Sequence, residues 1–379
     1  MRMIYLDYNA TTPIAPSVQQ AMLPFLSEHY GNPSSGHSLG RAAHEAMEDA
    51  RSQLALMLNA DREEIIFTSG GTESNNMAIK GSLLRRAPSA GGHLIISAIE
   101  HPAVVAPAKF LERLGYDLTI VSCDAHGIVR VDEIESAIRP DTVLVSVMHA
   151  NNEIGTIQPI AEIAAMCHER NVLVHTDASQ SAGKIRTPVD ELQVDFLSIA
   201  GHKFYAPKGV GALYIRRGLG LEPLMHGAGH EGGLRAGTEN VASIVGLGCA
   251  ASLASKGLDQ TSQRMESLRD RLFDQLRAEI GSGLRVHGIK SPRLPNTLSV
   301  AFPEVTGAAM LSRLPELCAS TGSACHSNAT SMSPTLAAIG ATPEVAAGTV
   351  RLSLGWYTSE EDIDRAASLL LGAWESLAK

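Results

Sequence analysis

The sequence predicts an α/β protein with a mostly parallel central sheet flanked by helices, joined to a smaller α+β domain. Three observations predict it. Between residues 60 and 216, short runs rich in Val and Ile alternate with longer stretches whose apolar residues recur at helical spacing. A glycine-rich segment at 218–240 is followed by two long helical patterns reaching about residue 280, and strands and helices mix beyond them. Apolar runs too short for helices read as strands buried on both faces, and repeated strand and helix alternation makes the strands parallel. A chain of 379 residues exceeds the usual size of one core. The expected division is a large domain over 16–258 and a small one built from 1–15 and 259–379.

The strands of the large domain are expected at EIIFT (64–68), HLIIS (93–97), DLTIVS (117–122), TVLVSVM (142–148), NVLVHTD (171–177), VDFLSIA (194–200) and GALYIRR (211–217). Between them, HPAVVAPAKFLERLG and IAEIAAMCHERN have helical periodicity and end near Gly or Asn, as helices do. In the small domain LRVHG, TLSVAF, ELCAS and TVRLSLG are strand-like. The closing helix begins near SEEDID, where Ser359 is placed to cap it ahead of acidic first-turn residues.

A net charge of −9 and a pI near 5.9 argue against a dedicated nucleic-acid or membrane-surface binder. MRMIYLDYNATTP has too few apolar residues for a signal peptide, and no continuous apolar run is long enough to span a membrane, so a cytoplasmic protein is expected. Cys123, Cys167, Cys249, Cys318 and Cys325 form an odd set without a C-x-x-C pair, which predicts free thiols. Cys325 stands apart. It lies in STGSACHSNATSMSP (320–334), rich in turn formers and without apolar periodicity, where a thiol is expected to be exposed and able to react.

Ligands of open α/β sheets bind beyond the carboxyl ends of the strands, so residues following the apolar runs are the candidates for chemistry. TSGGTESNN (68–76) follows a strand and opens a helix: its two glycines let backbone N–H groups approach an anion, and Thr72 adds a hydroxyl. A glycine turn with an ordinary cap has the same appearance. Asp177 ends one strand and Lys203 follows another; alone they could be an ion pair. Together with a phosphate cup they match what pyridoxal phosphate requires: an amine for the Schiff base, an acid facing the pyridinium nitrogen, and an anion site. A partly desolvated, cation-rich pocket would lower the lysine's pKa. His101 follows a strand in SAIEHPAV, where ring stacking or proton transfer fits. Arg351 lies inside an apolar strand and needs an anion, which a substrate carboxylate could supply.

Some motifs carry less. Gly227, Gly229 and Gly232 satisfy G-x-G-x-x-G, but outside a strand-to-helix turn and without an acid about 20 residues on, so a loop is expected rather than a dinucleotide site. His226 and His230 beside Glu231, and Cys325 beside His326, lack the spacing of a zinc motif, and no metal is expected.

LDYNATTP, TSGGTESNN, EHPAV, MHANNEIGTIQPI, HTDASQS, AGHKFYAPKGVGALY, GLRAGTEN and STGSACHS, in this order over nearly the whole chain, resemble the cysteine desulfurases. These are pyridoxal-phosphate enzymes of the class V aminotransferase group. The resemblance implies a fold-type-I homodimer that converts L-cysteine to L-alanine. Lys203 would carry the cofactor, Asp177 would face its ring nitrogen, Gln180 its phenolic oxygen, and His101 would stack on its ring. Gly71, Thr72 and His202 resemble phosphate ligands, and Thr238 resembles a threonine that reaches the neighbouring subunit's phosphate. Asn152 and Arg351 resemble the groups that hold the substrate carboxylate. Cys325 would take the sulfur as a persulfide and deliver it to an acceptor protein, such as an iron–sulfur scaffold or a tRNA-thiolation protein. Many relatives have a serine three residues before the lysine; here that position is Ala200, which implies one phosphate hydrogen bond fewer. Rival expectations are a selenocysteine lyase or another lyase or transaminase of the same fold, and a non-catalytic scaffold.

Overall fold

The computed structural model describes residues 2–85, 91–321 and 332–378. The chain opens with strand β1 (Ile4–Tyr5), followed by the seven strands of the large sheet: β2 (Ile65–Thr68), β3 (His93–Ser97), β4 (Asp117–Val121), β5 (Thr142–Ser146), β6 (Leu173–Asp177), β7 (Phe196–Ala200) and β8 (Gly211–Ile215). Their order is β2-β8-β7-β6-β5-β3-β4. All pairings are parallel except those of β8, which runs antiparallel to β2 and β7. The carboxyl ends of β2, β3, β5, β6 and β7 therefore open on one edge.

Alternating side chains explain why these runs are apolar throughout. In β2, Ile65 and Phe67 enter one cluster of buried residues while Ile66 enters another on the opposite face. In β8, Ala212 and Tyr214 divide from Leu213 and Ile215 in the same way. β4 departs from the expected two-sided burial. It is an edge strand, and Ile120 is 48% exposed.

The two helical patterns past residue 240 form one continuous helix, Val241–Ile280, started by Asn240 Oδ1 accepting from Ser243 N–H and ended at Gly281 with φ 69°. Its first half packs along the helix Ser38–Leu58, where Gly248 comes so close that an added Cβ would lie 2.5 Å from Ala50 Cα. By length and composition the segment Val241–Gly283 would suffice to cross a membrane, although no uninterrupted apolar run in it is that long. Its apolar residues lie inside the protein: Leu247, Ala250 and Ala251 in the sheet's core, Leu268, Leu272 and Leu276 in a second core. A fully buried leucine such as Leu247 or Leu272 contributes about 1.5–3 kcal/mol.

The second core lies under an antiparallel sheet ordered β12-β13-β10-β9, with β9 (Arg285–Val286), β10 (Thr297–Ala301), β12 (Ser320–Thr321) and β13 (Thr349–Ser353). Beside it β1 pairs in parallel with β11 (Leu317–Cys318), 313 residues later at Ile4 and Leu317, which brings the N-terminal segment to the C-terminal strands. The closing helix, Glu360–Leu377, has a full capping box in which Ser359 Oγ accepts from Asp362 N–H and the Asp362 carboxylate accepts from Ser359 N–H.

The glycine-rich segment 218–240 contains no helix-opening turn of the dinucleotide type; it is held at Glu231. The Glu231 carboxylate accepts from Arg51 Nη1 and Nη2 at 2.8 and 2.7 Å and from Phe67 N–H at 2.7 Å. This pair is almost wholly buried, with side-chain exposures of 10% and 2%. Glu48 Oε1 also pairs with Arg51 Nε at 3.0 Å, so Glu231→Ala removes charge-assisted bonds without stranding the guanidinium and should lower unfolding stability by about 1.5–3 kcal/mol. Urea denaturation measures it, and an unchanged midpoint would show the pair to be dispensable.

Candidate active site

Nine of the residues expected to act together border one cavity of about 500 Å³ at the carboxyl edge of the large sheet: Gly71, Thr72 and His101, then Asn152, Asp177 and Gln180, then His202, Lys203 and Arg351. A larger cavity, about 780 Å³, lies by Arg51 and Glu231 and contains none of them. Thr238 is exposed and does not border the smaller cavity. Cys325 and His326 lie outside the described residues.

β2 ends in a turn through Gly70 at φ 146°, a conformation that favours glycine, and Gly71 opens the helix Gly71–Leu84. No side chain caps this helix, so its first backbone donors remain available beside Thr72. The wall opposite is close. A Cβ on Gly71 would lie 2.8 Å from Ser179 Oγ and 3.3 Å from Ala200 Cβ, so only glycine leaves the cup open.

Asp177 closes β6 and is fixed at both oxygens. Oδ2 accepts from Asn75 Nδ2 at 2.7 Å, and Oδ1 accepts from Ser179 N–H at 2.9 Å. Asn75 is fully buried one helical turn past Gly71, and its Oδ1 has no partner among the described residues. Two residues before Asp177, on the same side of β6, His175 bridges Ser146 Oγ and Ser198 Oγ at 2.8 and 2.9 Å. Burial pushes His175 down to about 4, so it stays neutral behind the carboxylate.

His101 caps the helix Pro102–Arg113: its Nδ1 accepts from Ala103 N–H at 3.1 Å. An accepting Nδ1 places the proton of the neutral ring on Nε2, and burial, foremost, lowers the ring's pKa in keeping with this form. Beside it Glu100 is buried, with Oε1 accepting from Ser97 Oγ at 2.6 Å and from Met148 N–H at 2.8 Å. Burial raises its carboxyl to about 8.

β7 ends at Ala200, and a single turn of 3-10 helix, Gly201–Lys203, delivers the lysine. Lys203 Nζ donates to the carbonyls of Asn9 at 2.7 Å and Ala10 at 2.9 Å. Burial, followed by the charge of Arg351, pulls its pKa down to about 8, against the opposing pull of Asp177 and Asp7. His202 Nδ1 meets Thr11 Oγ1 at 3.1 Å, and burial followed by Lys203 lowers this ring to about 4.

Gln180 is held from both ends. Its Nε2 donates to Asn9 carbonyl oxygen at 3.0 Å, and its Oε1 accepts from Lys184 Nζ at 2.9 Å. Lys184 is itself buried, which drives its pKa well below that of an ordinary lysine.

Arg351 is paired with an anion of the protein itself. Nη2 donates to Asp7 Oδ1 at 2.7 Å and to Ser320 Oγ at 3.0 Å, while Nη1 donates to Asn152 carbonyl oxygen at 3.0 Å. Sequence reasoning missed Asp7, Asn9, Asn75, Lys184 and Ser320 as parts of the site. Only Asn75 left a usable signal, since position 75 follows Gly71 at i+4 on one helix face. The others join through contacts between distant segments.

A carboxylate fixed at both oxygens, a buried amine with a lowered pKa and a helix terminus without a side-chain cap border one cavity, and comparison with known proteins gives the chain a lineage. The Aminotransferase class-V family matches residues 4–366, and the chain belongs to it. Within that family its relatives are desulfurases. Cysteine desulfurase IscS of Dictyoglomus turgidum is 48% identical over 371 residues, covering 97% of this chain and 94% of that protein. Among solved structures, a NifS-like protein matches with TM-score 0.91 and 38% identity, covering 99% of each chain. SspA in complex with cysteine matches with TM-score 0.84 and 38% identity, over 94% of this chain and 99% of that one. The family and fold expected from the motifs are therefore those observed.

In the cofactor-free protein, acylation of Lys203 by an amine-reactive reagent, followed by peptide mass spectrometry, should rise with a midpoint near pH 8. Arg351→Met removes a neighbouring positive charge and should move the midpoint upward. A wild-type midpoint near the ordinary lysine value of about 10.4 would refute this environment.

Proposed function

We propose that the protein is a pyridoxal-phosphate-dependent cysteine desulfurase that converts L-cysteine to L-alanine and passes the sulfur through a Cys325 persulfide to an acceptor protein. The observation that carries it is the convergence of Lys203, Asp177 and the open Gly71 terminus on one cavity. The donor set fits the cofactor. An amine with its pKa drawn to about 8 suits Schiff-base chemistry, a doubly anchored carboxylate suits a pyridinium nitrogen, and the cup between Gly71 and Ser179 has room only because no side chain fills it. Lys203, Asp177, Gln180 and His101 would hold the ring; Gly71, Thr72 and His202 would hold the phosphate.

When bound, pyridoxal phosphate supplies an electron sink conjugated to the substrate's α-carbon. The chain's residues do the rest. With a pKa near 8, Lys203 loses its proton readily near neutral pH, and the Asn9 and Ala10 carbonyls aim its Nζ. Asn75 Nδ2 and the Ser179 N–H hold the Asp177 carboxylate in place by donating to its two oxygens. Lys184 occupies Gln180 Oε1, which leaves Nε2 as the amide's donor end. His101 faces the cavity and carries its proton on Nε2, where it can be held or moved. Arg351 and Asn152 border the cavity, which supports a role for them in taking the substrate carboxylate.

The overall exchange balances without an external oxidant. L-cysteine and the Cys325 thiol give L-alanine and the Cys325 persulfide, an S–S bond replacing the substrate C–S bond. The exposure of Thr238, away from its own chain's cavity, supports a homodimer in which it reaches the neighbouring site. We also read the clusters on the two faces of the large sheet as the core of a large domain, 16–258, and the cluster under the antiparallel sheet as that of a small one, 1–15 with 259–379.

Purified protein given L-cysteine should form alanine and be yellow. Lys203→Ala should be colourless and inactive, whereas Cys325→Ala should keep its colour and lose turnover. Full turnover by Cys325→Ala would replace this assignment with another lyase. A second measurement concerns Ala200, which is buried against the Gly71 cup. Ala200→Ser adds a hydroxyl toward a charged group, a bond of about 1.5–3 kcal/mol, and should tighten cofactor binding at least tenfold. Unchanged affinity would show that the position does not reach the phosphate.

A further inference from the structure

The Arg351 guanidinium raises a problem of valence. A carboxylate grips a guanidinium bidentately along one of two edges, Nη1 with Nη2 or Nε with Nη2, and both edges include Nη2. Here both Nη2 protons are spent: one on Asp7 Oδ1 at 2.7 Å, the other on Ser320 Oγ at 3.0 Å. Ser320 Oγ in turn donates to Asp7 Oδ1 at 2.9 Å, closing a triangle. Nη1 holds the Asn152 carbonyl, and Nε is buried with no partner among the described residues. The group bordering the cavity is therefore an arginine already filled by a carboxylate of its own chain.

We propose that Asp7, braced by Ser320, is a specificity-determining positioning residue: it stands in for the substrate carboxylate on Arg351 and yields Nη2 to it on binding. This rests on the desulfurase assignment for the identity of the substrate but not for the exchange itself. The exchange is like for like. Arg351 is never left as a bare buried cation, and the incoming carboxylate takes a site already shaped for one. A ligand lacking a carboxylate has nothing to exchange and gains nothing at Arg351. The internal pair lowers the affinity for the right ligand and, in return, keeps other amines from profiting from an open cation.

The test uses the pyridoxal-phosphate-loaded protein and two amines that differ only in the carboxylate: L-alanine and ethylamine. Dissociation constants are read from the change in visible absorption. Asp7→Asn keeps the shape but replaces a charge-assisted bond with a neutral one, and should tighten L-alanine about three- to tenfold while leaving ethylamine unchanged. Ser320→Ala removes the brace without touching the charge pair, and should tighten L-alanine by a smaller factor. Weaker or unchanged L-alanine binding in both variants, or equal shifts for both amines, overturns the proposal; should Asp7→Asn not fold, the Ser320→Ala result decides alone. Alanine formation from L-cysteine by the wild type reads the desulfurase assignment separately, because L-alanine binding involves no sulfur chemistry.

Discussion

Asn9 joins the lysine side of the site to the arginine side. Its carbonyl oxygen accepts from Lys203 Nζ and Gln180 Nε2. Its side-chain Oδ1 accepts from Asn296 Nδ2 at 3.0 Å, and its Nδ2 donates to Thr297 Oγ1 at 2.9 Å and Asn152 carbonyl oxygen at 3.1 Å. Its N–H donates to Ser353 Oγ at 3.0 Å. One buried residue thus ties the sheet that carries the lysine to the strands that carry the arginine. Buried polar groups must be paired, and here the pairing itself sets the distance between the two halves of the chemistry.

The same economy governs charge. Lys203, Lys184 and Arg351 lie within reach of one another, and burial and mutual repulsion draw down both lysines. The histidines around them are kept neutral by burial, so they can accept or donate hydrogen bonds without adding to the positive field. An anion entering the cavity meets an environment already short of negative charge. Asp177 and Asp7 are the counterweights, and each is tied down by donors of its own.

The large sheet was legible because burial on both faces writes itself as uninterrupted Val and Ile, and because strand ends in a parallel sheet announce where ligands bind. Gly71, Asp177 and Lys203 could be picked out on that basis alone. β4 misled because an edge strand, exposed on part of one face, has nearly the same composition as a central one. The long helix read as two because a polar stretch near Lys256–Arg264 breaks the apolar periodicity where the helix passes from one core to the next. Asp7, Asn9 and Ser320 were invisible as partners, since nothing in the local pattern around residue 7 points to a contact 344 residues away. Whole-chain motif resemblance supplied the roles of Gln180, His202 and Asn152, which spacing alone did not reach.

The docking of the N-terminal segment against the last strands has a consequence for the order of events during synthesis. Residues 4–9 leave the ribosome long before their partners at 317–318, 351 and 353. The sheet with Asp177 and Lys203 can form while the chain is still growing, but Lys203 has no Asn9 anchored beside it until nearly all of the chain has emerged. Contacts of such long sequence separation form late and slowly. A truncated or half-made chain therefore possesses the lysine without the framework that aims it, and competence for chemistry arrives with the final strand.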